Sequence, residues 1–302
     1  MNTNPTVLIS NPNAGRGGAR RALEIKRFCE ALKARGVKVE ALSTNAPGDA
    51  ARLAATAAKN GAATIIVSGG DGTINEALQG MVGTKARLAI WPRGTANVLA
   101  REIGMPTRLE KVAAVIARGE TKRIYPGCAV LEETHERRYF FLMAGIGLDA
   151  SIVKSVRPKL KRRFGKAAFW YSGLGHLARW QPVHFQIEVE GQAFSATFAA
   201  VGKGSRYGGD LSITPRARLD VPEFEICIIN SQSRLRYLSL LPGAIRNGVA
   251  NGTKGVRFLM ATQARVTGNV AVQVDGELIG KPPMTFEIVK EPIEIIVPEN
   301  QP

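Results

Sequence analysis

The sequence predicts an α/β plus β protein: an N-terminal doubly wound parallel-sheet domain over residues 1–125 and a C-terminal β-sandwich-like domain over residues 126–302, its last residues free to pack back on the first. Three observations predict it. Strand-like and helix-like segments alternate up to about Tyr125, which argues for a parallel sheet covered by helices on both faces. Beyond Tyr125 the apolar runs alternate or are β-branched and lie between Gly, Asn and Pro breaks. Finally, 302 residues with 45% hydrophobic and 22% charged side chains suffice for two cores, which excludes disorder, collagen or coiled coil as the main architecture.

The elements follow in order. Thr6–Ser10 is a short apolar strand, and Ala19–Arg35 has helical periodicity, with Leu23, Phe28, Ala31 and Leu32 on one side. Val37–Leu42 reads as a strand, Asp49–Lys59 as an alanine-rich helix, and Ala63–Ser68 as a β-branched strand bounded by Gly61 and Gly69. Ile74–Val82 is helical, Ala86–Trp91 a strand, and Ala96–Ile103 and Leu109–Arg118 helices. In the second half, Tyr139–Met143, Phe185–Glu190, Phe194–Val201, Phe224–Ile229, Ala264–Gly268, Val270–Asp275 and Met284–Val289 read as strands. Ile152–Trp180 and Leu235–Val249 interrupt them and read as partly helical.

Lys and Arg outnumber Asp and Glu by 41 to 25, a net charge of +16 shared between both halves. A surface this basic favours an anionic partner: nucleic acid, an anionic membrane face or a polyphosphate. Cys29, Cys128 and Cys227 are odd in number and far apart, which argues against a disulfide framework or a zinc site, and the three histidines lack ligand spacing. The first residues lack an export signal, and no run of 18 uncharged apolar residues appears. The expectation is a cytoplasmic protein, monomer or homodimer, associated peripherally with the inner face of the membrane.

Three glycine-bearing loops each follow a strand and enter a helix. They are Asn11-Pro12-Asn13-Ala14-Gly15-Arg16-Gly17-Gly18, Gly69-Gly70-Asp71-Gly72-Thr73 and Pro92-Arg93-Gly94-Thr95-Ala96-Asn97. A phosphate chain needs backbone N–H groups at close range, which glycine permits, and the positive end of a helix. One such loop is ordinary turn chemistry; three at the ends of neighbouring strands suit a polyphosphate. Neither GxxxxGK[ST] nor GxGxxG occurs, so a Walker A or standard dinucleotide site is disfavoured. Asp71 has two readings: a Mg²⁺ ligand, direct or through water, or a cap on the helix starting at Ile74. Asp275-Gly276-Glu277 reads on spacing as a hairpin turn.

GGDGTINE, with NPNAG upstream and PRGTANVLAR downstream, resembles the diacylglycerol kinase catalytic-domain family, which includes bacterial lipid kinases, sphingosine kinases and ceramide kinases. Gly145-Ile146-Gly147-Leu148-Asp149-Ala150, Arg206-Tyr207-Gly208-Gly209, Pro215-Arg216-Ala217 and Asp275-Gly276-Glu277 extend the resemblance along the chain. It implies ATP held by Asn11, Pro12, Asn13, Ala14 and Gly15, by Thr44, by Gly69, Gly70, Asp71, Gly72 and Thr73, and by Thr95. Glu76, Gly94 and Asn97 join that set. It further implies an active site in a cleft between the two domains, Glu277 as general base on a lipid hydroxyl, and Asp71 organising Mg²⁺ and nucleotide. For Asp149 it leaves a role in the cleft or in holding its loop, and it draws attention to Asp275. Family members often carry PxAxxxDG, whose Asp helps bind a structural Mg²⁺; here Val221-Pro222 replaces the DG pair, so that metal depends on Asp220 or Glu223 substituting.

From Ala150 to Ile187 there is no Asp or Glu, while Arg157, Lys159, Lys161, Arg162 and Arg163 interleave with Phe164, Phe169, Trp170 and Trp180. Basic side chains favour anionic headgroups and aromatic rings the interface, so this stretch reads as a membrane-facing element. A second acid-free stretch runs from Ile226 to Val274. No nucleic-acid signature is visible, and nucleic acid is not an expected partner. The leading expectation is an ATP- and Mg²⁺-dependent kinase acting on a primary hydroxyl of diacylglycerol, ceramide or a sphingoid base. The alternatives are a soluble-substrate kinase of the NAD kinase type and a non-catalytic, nucleotide-dependent membrane adaptor.

Overall fold

The computed structural model describes residues 5–12, 14, 19–155, 180–206, 211–246, 248–250 and 252–299. The chain divides into two compact units, Met1–Ile124 with Glu291–Pro302, and Tyr125–Lys290. The C-terminal tail thus groups with the first unit.

In the first unit, β1 (Thr6–Ser10), β2 (Val39–Ser43), β3 (Thr64–Gly69) and β4 (Arg87–Pro92) are parallel and alternate with α1 (Ala19–Lys33), α2 (Asp49–Lys59) and α3 (Asp71–Met81). Two further helices, α4 (Val98–Glu102) and α5 (Leu109–Arg118), follow β4. The sheet order is β2-β1-β3-β4-β18-β5, where β5 is Thr121–Ile124 and β18 is Ile293–Ile296. The short β5 and β18 were not among the strands the sequence predicts; four residues each give too little pattern to read. Along β1, β3 and β4 every residue but Arg87 is buried, the continuous apolar reading of strands covered on both faces.

Alternate residues serve the two faces. Leu8, Ile66, Ala89 and Trp91 join Phe28 and Leu32 of α1 and Val112 and Ile116 of α5 in one core. Phe28 stacks on Trp91 at 4.0 Å between ring centroids, which contributes about 1 kcal/mol beyond burial. Leu23 turns outward and is half exposed, so it leaves the predicted apolar face. The other face is covered by α2 and α3, which pack tightly because α3 carries Gly80 where a Cβ would lie 2.1 Å from the Ala51 carbonyl.

The second unit holds two six-stranded antiparallel sheets. The first has the order β10-β9-β14-β17-β6-β7, made of β6 (Gly127–Leu131), β7 (Arg137–Phe140), β9 (Phe185–Val189), β10 (Gln192–Ala196), β14 (Gln263–Thr267) and β17 (Met284–Ile288). The second has the order β13-β12-β11-β8-β15-β16, made of β8 (Met143–Gly147), β11 (Phe198–Gly202), β12 (Phe224–Ile229), β13 (Val256–Ala261), β15 (Val272–Val274) and β16 (Glu277–Gly280). Ile187, Val266 and Phe286 of one sheet and Ile146, Val201, Phe224 and Ile226 of the other share a single core, so the unit is a β-sandwich.

Two predicted strands split at sheet corners. Phe194–Val201 becomes β10 and β11, one in each sheet, because Thr197 leaves the ladder: its Oγ1 donates towards the carbonyls of Ile229 (3.2 Å) and Ser231 (3.1 Å). Tyr139–Met143 likewise divides between β7 and β8. Helix α6 (Leu148–Ser155) follows β8, and α7 (Arg234–Arg246) follows β12. Among the described residues no helix is long and apolar enough to cross a membrane.

Gly80→Ala is expected to force α2 and α3 apart and to destabilise the fold by about 1–3 kcal/mol, read as a lower urea midpoint at unchanged slope.

Candidate active site

In the first sheet the chain leaves β1 for β2 on one side, while β3 lies on the other. Strand order reverses there, and open α/β sheets bind ligands beyond the carboxyl ends of the strands at such a point. The first two glycine loops meet in this place. Asn11 donates its backbone N–H to the Ser68 carbonyl (3.0 Å) and its Nδ2 to Thr73 Oγ1 (3.1 Å). Pro12 and Ala14 continue the turn, with the Ala14 N–H on the Asn11 carbonyl at 3.2 Å. Asn13, Gly15, Arg16, Gly17 and Gly18 lie outside the described residues. Thr44 is buried at the end of β2, its N–H on the Ser10 carbonyl at 2.9 Å. The turn after it is held by Asp49, whose carboxylate accepts the N–H groups of Asn45 (2.8 Å) and Ala46 (3.1 Å). Those bonds, with Arg52, bring the Asp49 pKa down to about 2.

The second and third loops lock together through their glycines. A Cβ on Gly94 would lie 2.4 Å from the Gly70 Cα, and one on Gly69 would lie 2.6 Å from the Thr73 Cβ. The Arg93 N–H reaches the Gly69 carbonyl at 2.8 Å. Asp71 adds the strongest link: its Oδ1 accepts the Val98 N–H at 2.6 Å, at the start of α4. This corrects the capping reading. Helix α3 begins at Asp71 itself, and the carboxylate caps the helix of the neighbouring loop. Burial raises the Asp71 pKa, against the pull of the N–H groups of Val98, Leu99 and Asn97. The N-cap position of α3 is Gly70, which has no side chain to cap the helix, and the helix N-terminus carries the partial positive charge of its backbone dipoles.

Glu76 and Asn97 are spent on architecture. Glu76 Oε1 accepts the Ala50 N–H in the first turn of α2 (2.9 Å), and Asn97 bridges the Gly94 N–H (2.8 Å) and carbonyl (2.9 Å). Gly72 and Thr95 are exposed beside these contacts. Sequence reasoning missed Arg21: it is buried under the loops, donates Nη2 to Ser68 Oγ (2.8 Å), and its guanidinium lies 5.0 Å over the Trp91 ring. Arg93 lies over the same ring and pairs with Glu24.

In the second unit, Asp275 and Gly276 both have positive φ (46° and 87°) between β15 and β16, the two-residue hairpin turn that the spacing predicts. Asp275 is a clamp as well as a turn residue. Its carboxylate accepts the N–H groups of Phe141 (2.7 Å), Leu142 (3.0 Å) and Met143 (3.0 Å). Glu277, the next residue but one, begins β16 and is exposed. Buried Asp149 accepts Gln273 Nε2, and Gln273 Oε1 accepts the Gly276 N–H at 2.6 Å. Asp149 therefore holds the hairpin, and Gly145 must be glycine because a Cβ there would meet the Asp149 carboxylate at 1.8 Å. Gln273 was missed; the signal was a lone amide inside the apolar run Ala271 to Val274.

Among the described residues of the second unit, a buried lysine gathers the loop in which the structural Mg²⁺ was expected. Lys203 is fully buried, and its Nζ donates to the carbonyls of Arg218 (2.8 Å), Val221 and Glu223 (3.2 Å). That ammonium fills a ring of oxygens of the kind a hard cation takes. Asp220 is gripped by both Nε (3.1 Å) and Nη2 (2.9 Å) of Arg218. Burial lowers the Lys203 pKa to about 8, with Asp220 and Glu223 opposing, so the amine is still mostly protonated at neutral pH. Among the described residues no group of three His, Cys, Asp or Glu side chains could hold a metal ion. Trp180 corrects the membrane-contact expectation at its own position: it is buried, edge-on to Tyr237 at 5.2 Å. Arg157, Lys159, Lys161, Arg162, Arg163, Phe164, Phe169 and Trp170, with Tyr207, Gly208 and Gly209, lie outside the described residues.

Two outcomes follow from these contacts. Lys203→Met is expected to cost about 3 kcal/mol by orphaning the carbonyl ring, read as a lower urea midpoint. Gln273→Leu is expected to destabilise the fold by about 1–3 kcal/mol, read as a lower urea midpoint, because it removes the amide that joins buried Asp149 to the Gly276 N–H.

Comparison with known proteins agrees with this layout. The model of the diacylglycerol kinase catalytic domain matches residues 5–129, and that of the YegS C-terminal NAD kinase beta sandwich-like domain matches residues 143–297. The diacylglycerol kinase of Mycobacterium tuberculosis is 30% identical over 299 residues, covering 97% of this chain and 94% of that protein. The diacylglycerol kinase of Bacillus subtilis is 26% identical over 303 residues, covering 97% and 96%. A crystal structure of a diacylglycerol kinase from Bacillus anthracis shares the fold with a TM-score of 0.75 at 21% identity, covering 98% of this chain and 97% of that one. The chain belongs to the diacylglycerol kinase catalytic-domain family and is a kinase.

Proposed function

We propose that the chain transfers the γ-phosphoryl group of ATP to a primary hydroxyl of a lipid, with diacylglycerol the first candidate and ceramide or a sphingoid base the others. The observation that carries the reading is the meeting of Asn11 and Thr73 beside the uncapped N-terminus of α3, at the reversal of strand order. A triphosphate suits this place: a helix N-terminus, a hydroxyl and an amide converge, and Arg21 and Arg93 supply positive charge nearby. Diacylglycerol kinases aligned over nearly the whole chain support a lipid acceptor over a soluble one.

Mg²⁺ is usually held by one or two carboxylates together with phosphate oxygens and water. Asp71 is the carboxylate in reach of the loops, and the N–H groups directed at it suit a hold through water. The metal would neutralise charge on the transferring phosphoryl group. The work left to the protein is positioning and one proton. Glu277 is assigned the proton of the lipid hydroxyl; the oxygen then bonds to the γ-phosphorus as the bond to the β-phosphate oxygen breaks, releasing ADP. Asp275, Gln273 and Asp149 are positioning residues for Glu277. We place the protein in the cytoplasm, at the inner face of the membrane where such substrates reside.

Purified protein given labelled ATP, Mg²⁺ and lipids in mixed micelles is expected to form phospholipid. Glu277→Gln is expected to cut kcat by at least a hundredfold while the protein still unfolds cooperatively in urea, because the side chain is exposed and the substitution nearly isosteric. A parent that phosphorylates none of the three lipid classes, or a Glu277→Gln variant as fast as the parent, overturns the reading.

A further inference from the structure

Seven large apolar residues are exposed among the described residues, and three of them, Leu235 (75%), Leu238 (39%) and Ile245 (47%), lie on the 13 residues of α7. At about 100° per residue they fall within an arc of roughly 80°, while the buried Tyr237 and Ala244 fall within roughly 20° of each other on another face. That second face anchors the helix. The Tyr237 hydroxyl lies 2.6 Å from Thr197 Oγ1, and its ring meets Trp180 and Phe198 edge-on. The outer stripe is therefore presented by a helix fixed to the sandwich.

The outer face of a helix in contact with water normally carries charge of both signs. This one carries only positive charge. Arg234 and Arg246 mark the two ends of the helix, Lys254 is exposed beyond it with its carbonyl taking the Arg236 guanidinium, and no Asp or Glu occurs from Ile226 to Val274. A second copy of the chain is a poor occupant, because a two-fold interface would set the same arginines against each other. Single-stranded nucleic acid is a poor one too, because it wants aromatic stacking platforms where α7 offers Leu and Ile. An apolar stripe flanked by cations matches an anionic bilayer, where side chains enter the headgroup boundary and Lys and Arg meet phosphate.

We propose that α7 is a membrane-docking helix that lies along an anionic bilayer with Leu235, Leu238 and Ile245 inserted and Arg234 and Arg246 on the headgroups. The proposal rests on the lipid-kinase reading and adds the surface from which the enzyme would reach a lipid substrate.

The test is sedimentation of the full chain with sucrose-loaded vesicles of phosphatidylglycerol and phosphatidylcholine, or of phosphatidylcholine alone. The parent is expected to bind the mixed vesicles and to be released by high salt. Leu235→Ser/Leu238→Ser/Ile245→Ser is expected to lower the partition coefficient at least tenfold. Arg234→Glu/Arg246→Glu is expected to abolish the preference for the anionic vesicles. Both variants should phosphorylate a short-chain diacylglycerol in detergent micelles at the parental rate. Docking by α7 is overturned if both variants partition like the parent, if the parent ignores vesicle charge, or if the serine variant converts a dimer to a monomer in sedimentation velocity. Absence of micelle activity in the parent itself would overturn the lipid-kinase reading and leave the vesicle result standing.

Discussion

The bond from the Val98 N–H to the Asp71 carboxylate is the constraint on which the first unit's site depends. Two glycine loops could not otherwise approach so closely and stay put. Gly70 and Gly94 leave no room for a Cβ between them, which removes the side chains that might have filled a mobile interface. A charge-assisted hydrogen bond to a backbone N–H then fixes the distance and satisfies a helix terminus at once. The carboxylate is half-buried for the same reason, and its raised pKa is the electrostatic cost of that position. The N-cap position of α3 is a glycine, and the carboxylate one residue on is shared with the N-terminus of α4.

The second unit uses buried polar groups in the same spirit. Asp275 gathers three consecutive N–H groups, and Gln273 links Asp149 to the Gly276 N–H. Each donor has an acceptor of matching geometry, so the network stiffens the hairpin without an orphaned group. Glu277 stands on the rim of that hairpin, exposed, while its supports are inside. Lys203 does for the loop of Arg218 to Glu223 what a divalent ion could do elsewhere.

The α/β architecture was legible because β1, β3 and β4 are covered on both faces and read as unbroken apolar runs between glycine loops. The loops themselves were legible for the same reason. What was not legible is pairing over distance. Asp71 and Val98 are 27 residues apart and Asp275 and Phe141 are 134 apart, and nothing local marks either partner. The break of Phe194–Val201 into two strands is decided by carbonyls at Ile229 and Ser231, so the apolar pattern runs straight through it. Lys203 is one of 41 basic residues, and composition assigns all of them to the surface. Trp180 sat in a basic-aromatic stretch and was read with its neighbours, whereas Tyr237 takes it into the interior.

Strand β18 sits between β4 and β5, parallel to the former and antiparallel to the latter, although it comes from the far end of the chain. The sheet of the first unit is therefore discontinuous in sequence, with the whole sandwich inserted before β18. During vectorial synthesis the inserted unit can complete its own core while the first sheet still lacks a member. Until residues 293–296 leave the ribosome, β4 and β5 each present an unpaired edge, a template for illicit strand addition. Chaperone demand in the nascent chain should concentrate on that interval, and Ile293–Ile296 would act as the latch that ends it.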